Sequence, residues 1–422
     1  MGASQASATI FDIGDADVLA VDQPRVAFGL TDESTSPATL IGPLIAGQAL
    51  LDTGANGVLL GDLAYRDGFG GDVDFGSPLF PFDYDGSGGI DADEQTAQYK
   101  EQGVAGFSLL DVHDRHGLRI TDSDGVQHLT NPVDPSDPGN PGVRPFGDSS
   151  LSLGSFNAIV GMPAMEGRVV EVDMRPSLGF DFQRVAFHTT MGQAAFESAA
   201  SMDVNLRIVP PEHTDTTLPV NLRPTFSGLP VIDNVDMKHT GGANSPGGQQ
   251  TAEDYTFLVD TGAQTLIISE QMAADMGIDF INTIDGDSNG ENKGDVVDFL
   301  EVGGIGGSVL MPIVFVDEFL MPTADGNQIR LNNLSAGVLN IDGAPFDAVL
   351  GMNMFTTGYF DEVFLGETDA HVFDKVVFDF TPTDETGTMR LDFFQTPSAI
   401  PEPGTIVLFA TGCVLLAGRR RR

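Results

Sequence analysis

Apolar positions in this chain come in short runs broken by glycine, proline and aspartate, not in long stripes of helical period. The runs at 38–51, 185–187, 204–209, 255–259, 376–380 and 389–394 read as strands. Residues 265–268 predict a strand that leads into a short helix at 269–276. Ser269 is placed to cap that helix at its start and Gly277 at its end. Residues 99–107 and 299–308 combine an aromatic residue with glycines and have the composition of hairpins. Segments 131–147 and 241–250, rich in proline, glycine and polar residues, read as surface loops. The second of these, with the stretch from Val209, sets a boundary near residue 225. A last apolar run covers 405–418.

Composition supports a folded, strand-rich body. Apolar residues make up 41% of the 422, charged residues only 19%, and there are 51 glycines and 25 prolines. A chain of this length buries a sizeable core and is expected to divide into two domains. Acidic groups outnumber basic ones by 61 to 20, a formal net charge of −41. Such a surface repels phosphate backbones, so a nucleic-acid partner is not expected. The single cysteine, Cys413, lies in the terminal apolar run, which leaves the body without a disulfide or a thiol nucleophile.

The C-terminus reads Pro401-Glu402-Pro403-Gly404, then the 405–418 run, then Arg419 to Arg422. As a helix the run would be about 21 Å long, against roughly 30 Å of hydrocarbon. Snorkelling arginines and local thinning of the bilayer make up part of the difference. The basic end should stay cytoplasmic and the acidic body outside. This tail resembles the PEP-CTERM sorting signal of Gram-negative bacteria. The resemblance implies export to the cell envelope or extracellular surface, with the terminal helix first held in the inner membrane. It also implies an exosortase-type sorting enzyme as partner. Exported proteins begin with a secretory signal, but residues 1–19 have no basic or apolar stretch. Either the start lies upstream or a processed front is missing.

Between these ends the chain repeats itself. Leu50-Leu51-Asp52-Thr53-Gly54-Ala55 returns as Leu258-Val259-Asp260-Thr261-Gly262-Ala263. Phe156-Asn157-Ala158-Ile159-Val160-Gly161-Met162 returns as Phe346-Asp347-Ala348-Val349-Leu350-Gly351-Met352. A weaker pair, Tyr99-Lys100-Glu101-Gln102-Gly103 and Phe299-Leu300-Glu301-Val302-Gly303, lies between them. One Asp-Thr-Gly is a common turn sequence; three landmarks in one order, twice, are a duplication. The first half is longer by 18 residues between its aspartate and its second glycine.

These motifs resemble the pepsin-like and retropepsin-like aspartic peptidases. The resemblance implies an all-β, two-lobed pepsin-like acid protease fold of duplicated psi-loop lobes, to which the tail adds a C-terminal membrane-anchor helix. It sets an N-terminal lobe at 1–224, a C-terminal lobe at 225–396 and a sorting segment at 397–422. Asp52 and Asp260 would be the catalytic pair. Thr53 and Thr261 would bridge the lobes, and Gly54 and Gly262 would let the backbone approach the acids. Two facing carboxyls cannot both ionise cheaply, so they share a proton. Such a pair activates water against a peptide carbonyl, which makes an aspartic endopeptidase, expected as a monomer acting on a peptide or protein substrate. Tyr99 is the candidate flap residue, with a core tyrosine as the plainer reading. The alternative function is a non-catalytic exported surface or matrix protein that keeps the fold.

Other catalytic sets are poorly supported. The seven histidines form no HExxH, and His113 and His116, three apart in an acidic segment, are expected at the surface. No catalytic cofactor is expected. The segment 83–94, however, has the twelve-residue spacing of an EF-hand loop. Asp83, Asp85, Ser87, Gly89 (through its carbonyl), Asp91 and Glu94 would hold one structural Ca²⁺, with Gly88 at the turn and Ile90 as apolar anchor. Asp285, Asp287, Asn289 and Gly290 begin similarly, but Val296 stands where the closing carboxylate belongs.

Overall fold

The computed structural model describes residues 8–15, 20, 23–32, 39–41, 48–62, 97–103, 106–113, 115–130, 142–148, 151–154, 156–175, 183–194, 198–244, 248–282, 294–341, 343–367, 369–383 and 385–400. Within these the chain is mostly β-sheet. One sheet has ten strands and the other fourteen. The ten-stranded sheet is made from residues 25–160 alone, and every other strand belongs to the fourteen-stranded one.

The repeated sequences build the same unit in each sheet. In the first, Gln48–Leu51 runs parallel to Ala158–Val160, which pairs antiparallel with Val58–Leu60. In the second, Gln249–Val259 runs parallel to Ala348–Leu350, which pairs antiparallel with Leu266–Ser269. Where these strands pair they are almost wholly apolar, because both faces are covered there. Val58, Leu60, Ala158 and Val160 are fully buried in one half, as are Val259, Leu266, Ala348 and Leu350 in the other.

The two halves share strands. Val169–Asp173, from the first half of the sequence, pairs with Phe373–Thr383. Ala200–Val209 bridges Thr386–Phe393 and Leu229–Thr240. Its alternating burial puts Val204, Leu206 and Ile208 inward. The expected boundary at 224/225 thus separates the two motifs, while strands on both sides of it lie in one sheet. Ile10–Asp15 is placed between Gln328–Leu339 and Ser398–Ile400, again in the fourteen-stranded sheet. Buried charges in this shared region are paired, as burial demands. Lys375 Nζ lies 2.7 Å from Glu171 Oε1, and Arg390 Nε lies 2.9 Å from Asp392 Oδ1.

Each half carries a hairpin. The first is Ala97–Gly103 with Gly106–Val112, the second Val296–Gly304 with the long strand Gly307–Pro322. The expected helix is Glu270–Asp275; Ser269 Oγ accepts from the Met272 N–H at 3.2 Å, and Gly277 follows with φ +68°.

One expectation is corrected, and one choice between two readings is decided for the plainer. His113 and His116 are buried, at 1% and 5% exposure, in the core of the first half. The backbone of His116 exchanges hydrogen bonds with Val143, and the His113 N–H donates to Pro145. Burial, with His116 close by, lowers the pKa of His113 to about 3. Local acidity of sequence suggested surface, but this segment docks on residues 143–145. Tyr99 is also fully buried. It packs edge-on against Phe146, His213 and Phe226, and its hydroxyl accepts from Thr214 Oγ1 at 3.1 Å. It is a core tyrosine.

The calcium loop at 83–94, the weaker segment 285–290 and the tail from 401 lie outside the described residues. Among the described residues, no helix is long and apolar enough to cross a membrane, and no three His, Cys, Asp or Glu side chains group to hold a metal.

Candidate functional site

The two Asp-Thr-Gly loops meet, and they do so with near two-fold symmetry. Each aspartate ends a strand that leans on the second element of its own half. The Asp52 N–H donates to Val160 at 3.1 Å and the Asp260 N–H to Leu350 at 3.0 Å. Each loop is then tied back: Met162 N–H donates to Ala55 and Met352 N–H to Ala263, both at 2.8 Å. Gly161 and Gly351 are obligatory here, because a Cβ on either would collide with backbone carbonyls of the facing loop.

The threonines join the halves. Thr53 Oγ1 donates to the Val259 carbonyl and Thr261 Oγ1 to the Leu51 carbonyl, each at 2.7 Å. Each hydroxyl also accepts the other's backbone N–H, at 3.1 and 3.0 Å. Both side chains are 1% exposed, so these four bonds form in a dry interior.

The carboxyl groups lie directly above this lattice. Asp52 Oδ1 accepts from Gly54 N at 2.7 Å and Ala55 N at 3.1 Å. Asp260 Oδ1 accepts from Gly262 N at 2.7 Å and Ala263 N at 3.0 Å. The two carboxyls are hydrogen-bonded to each other. Gly54 lies against the Asp260 carboxyl and Gly262 against that of Asp52, closer than any Cβ could approach. Burial, then the charge of Asp260 and the hydrogen bond to it, holds Asp52 well above the ordinary 3.8. Burial raises Asp260 too, against the hydrogen bonds it accepts. The pair therefore favours one proton held between two acids. All six expected residues, Asp52, Thr53, Gly54, Asp260, Thr261 and Gly262, are brought together.

Other neighbours gave no sequence signal. Gln23, 7% exposed, donates its amide to the Gly262 carbonyl and accepts from Gln264 Nε2 at 3.4 Å. The Ala20 N–H donates to Gln264 O at 2.7 Å; across the pseudo-axis, Ser227 N–H donates to Asn56 O at 2.8 Å. Asn56 and Gln264 are each the fourth residue after their aspartate, which is the one hint a repeat search could have used.

The hairpins also meet. Gly306, at φ +87°, is packed against the backbone of Gly106, and a Cβ there would lie 2.6 Å from the Gly106 carbonyl oxygen. Ile305, on the second hairpin's tip, packs on the first half's cluster of Leu59, Tyr99, Leu110, Val112 and Phe146.

An aspartyl protease family model matches residues 247–354, and a PEP-CTERM protein-sorting motif matches residues 399–422. No curated protein matches the chain. Among solved structures, basic 7S globulin from soybean is 10% identical, covering 88% of this chain and 95% of its own, at a TM-score of 0.37. Conglutin gamma, a basic 7S globulin from lupine seeds, is 8% identical, covering 87% and 95%, at 0.36. Those likenesses concern the fold alone, which loosely resembles that of the pepsin-like proteins. The expectation of an endopeptidase is corrected at this point. The aspartyl protease model matches residues 247–354 alone, which supports a domain of that kind, and such a domain does not by itself bring peptide hydrolysis with it. The chain thus carries an aspartyl-protease-like domain in its second half and, at its end, a sorting motif that goes with export to the cell envelope and an exosortase-type processing partner.

Proposed function

We propose that this is an exported cell-envelope protein that keeps the aspartic-peptidase fold as a non-hydrolytic body. The observation that carries the reading is the clasp between the hairpins. Gly306 packs on Gly106, and Ile305 is built into the first half's aromatic cluster. In the peptidases that the motifs resemble, a hairpin must admit and cover the substrate backbone. Here the hairpin tyrosine is committed to Thr214 and the core.

Asp52 and Asp260, in this reading, serve as a one-proton clamp between the halves. Thr53, Gly54, Thr261 and Gly262 are its frame. The segment 83–94 contributes one structural Ca²⁺ site through Asp83, Asp85, Ser87, Gly89, Asp91 and Glu94, and the sorting motif supplies the envelope address.

The test is incubation of the full protein with a mixed peptide library between pH 3 and 7, read by mass spectrometry. No cleavage above a blank is expected across that range. Cleavage that disappears in both Asp52→Asn and Asp260→Asn proteins would overturn the proposal.

A further inference from the structure

A second site lies apart from the aspartate pair. Where the halves join there is an open recess of about 370 Å³, within the roughly 300–1,000 Å³ span of small-molecule sites. Met162, Ile208, Phe226 and Phe380 form apolar walls, and Pro210 and Pro211 lie along one side. Its polar groups are acidic or neutral: Glu166, Glu385 and Ser227, with no Lys or Arg among the lining residues. Ser227 Oγ donates to Glu166 Oε2 at 2.6 Å, which anchors that carboxylate, on an exposed residue, at the rim of the recess.

The recess is built into rigid parts. Met162 follows Gly161 and is tied to Ala55, while Ser227 is tied to Asn56, so two lining residues are hydrogen-bonded to the first Asp-Thr-Gly loop. Phe226 continues away from the recess into the first half. It stacks on His213 with ring centres 4.5 Å apart and meets Tyr99 edge-on at 5.8 Å. Tyr99 stands on the first hairpin.

We propose that this recess binds a small organic cation with a flat or compact apolar body, an aryl or alkyl ammonium, amidinium or guanidinium. Apolar walls remove the body from water. A carboxylate held by a hydroxyl meets the charge, and charge-assisted bonds of this kind are the strong ones. The aromatic walls add an attraction for cations. Anions of the same shape face two carboxylates on a body of net charge −41. Occupancy presses on Phe226 and, through it, on Tyr99, so the first hairpin is where binding is felt. The site goes beyond the proposed function and stands whether or not the aspartate pair hydrolyses anything.

Benzamidinium is the probe, titrated into the full chain by calorimetry, with benzyl alcohol and benzoate as controls. Saturable binding of benzamidinium is expected, weaker binding of benzyl alcohol, and none of benzoate. Glu166→Gln should weaken benzamidinium about tenfold, and Ser227→Ala less. Glu270→Gln, at an exposed acid on the helix, should change nothing and so accounts for general charge. Hydrogen exchange over 97–112 should slow on binding. Non-saturable uptake, or equal loss in the Glu166 and Glu270 variants, would overturn the proposal. Circular dichroism of each variant separates lost binding from lost fold.

Discussion

The two halves of this protein agree at the centre and differ at the rim. Around Asp52 and Asp260 nearly every bond has its twin: aspartate to second element, threonine to opposite carbonyl, carboxyl to its own loop. Further out the likeness fades. The first half's hairpin pairs strands of seven residues each, the second's pairs nine with sixteen. The aspartyl protease model matches 247–354 only. Close packing across the pseudo-axis tolerates few side chains, whereas the hairpins at the rim meet at few points, Gly306 on Gly106 and Ile305 on the first half's cluster. Constraint, and hence sequence likeness, falls with distance from the axis.

That symmetry can be broken from either side, and the costs should match. Alanine at Gly54 or Gly262 pushes a methyl into the opposite carboxyl, and each should cost on the order of 3 kcal/mol by urea unfolding. Thr53→Val or Thr261→Val removes one hydroxyl and leaves a buried carbonyl and N–H of the other half unmet. Each should cost about 2 kcal/mol. Unequal costs within either pair would show that one half carries the joint.

The next comparison is asymmetric by expectation. If 83–94 holds calcium, chelation should lower stability by about 1–2 kcal/mol relative to millimolar calcium. Asp83→Ala should abolish that difference, and Asp285→Ala should leave it intact. Thermal melts with and without chelator decide it.

The smallest effect is in pH. Both aspartates are raised in the folded state, by burial first and for Asp52 then by its partner. Their preference for the protonated pair is fully present below 3.8, the unfolded value, and is lost as pH rises through the folded values. Wild type should therefore lose stability relative to Asp52→Asn as pH rises, with the two converging in acid. His113 works the opposite way. Its pKa, lowered by burial and by His116 from 6.5 to about 3, makes stability fall as pH drops through that interval. It is common to both proteins, so the difference between them isolates the pair. Parallel curves would remove the shared proton.

Much of the centre was legible because it is chemically narrow. Only Asp, Thr and Gly fit the loops, so the repeat announced the site and the strands around it. The strands Arg184–His188, Ala200–Val209, Gln249–Val259 and Phe373–Thr383 each contain the apolar run that predicts them, and the Ser269 cap was readable, whereas Leu229–Thr240 and Gln328–Leu339 were not foreseen. What stayed hidden depends on distant partners. Nothing local says that Ile10–Asp15 joins the far sheet, or that Gln23 reaches Gly262. His113, His116 and Tyr99 carry polar groups in sequence surroundings typical of a surface; residues up to 127 positions away bury them. Ser227 and Glu166 are likewise ordinary until the fold sets them over one recess.

The placement of Ile10–Asp15 has a kinetic corollary. Its two neighbours arrive 317–318 and 386–390 positions later, so this segment stays without a sheet until most of the polypeptide is present. Closing so wide a loop is slow, so Ile10–Asp15 is among the last strands to settle. Completion of the fourteen-stranded sheet thus waits on Ser398–Ile400, the strand that runs into the sorting motif matched at 399–422.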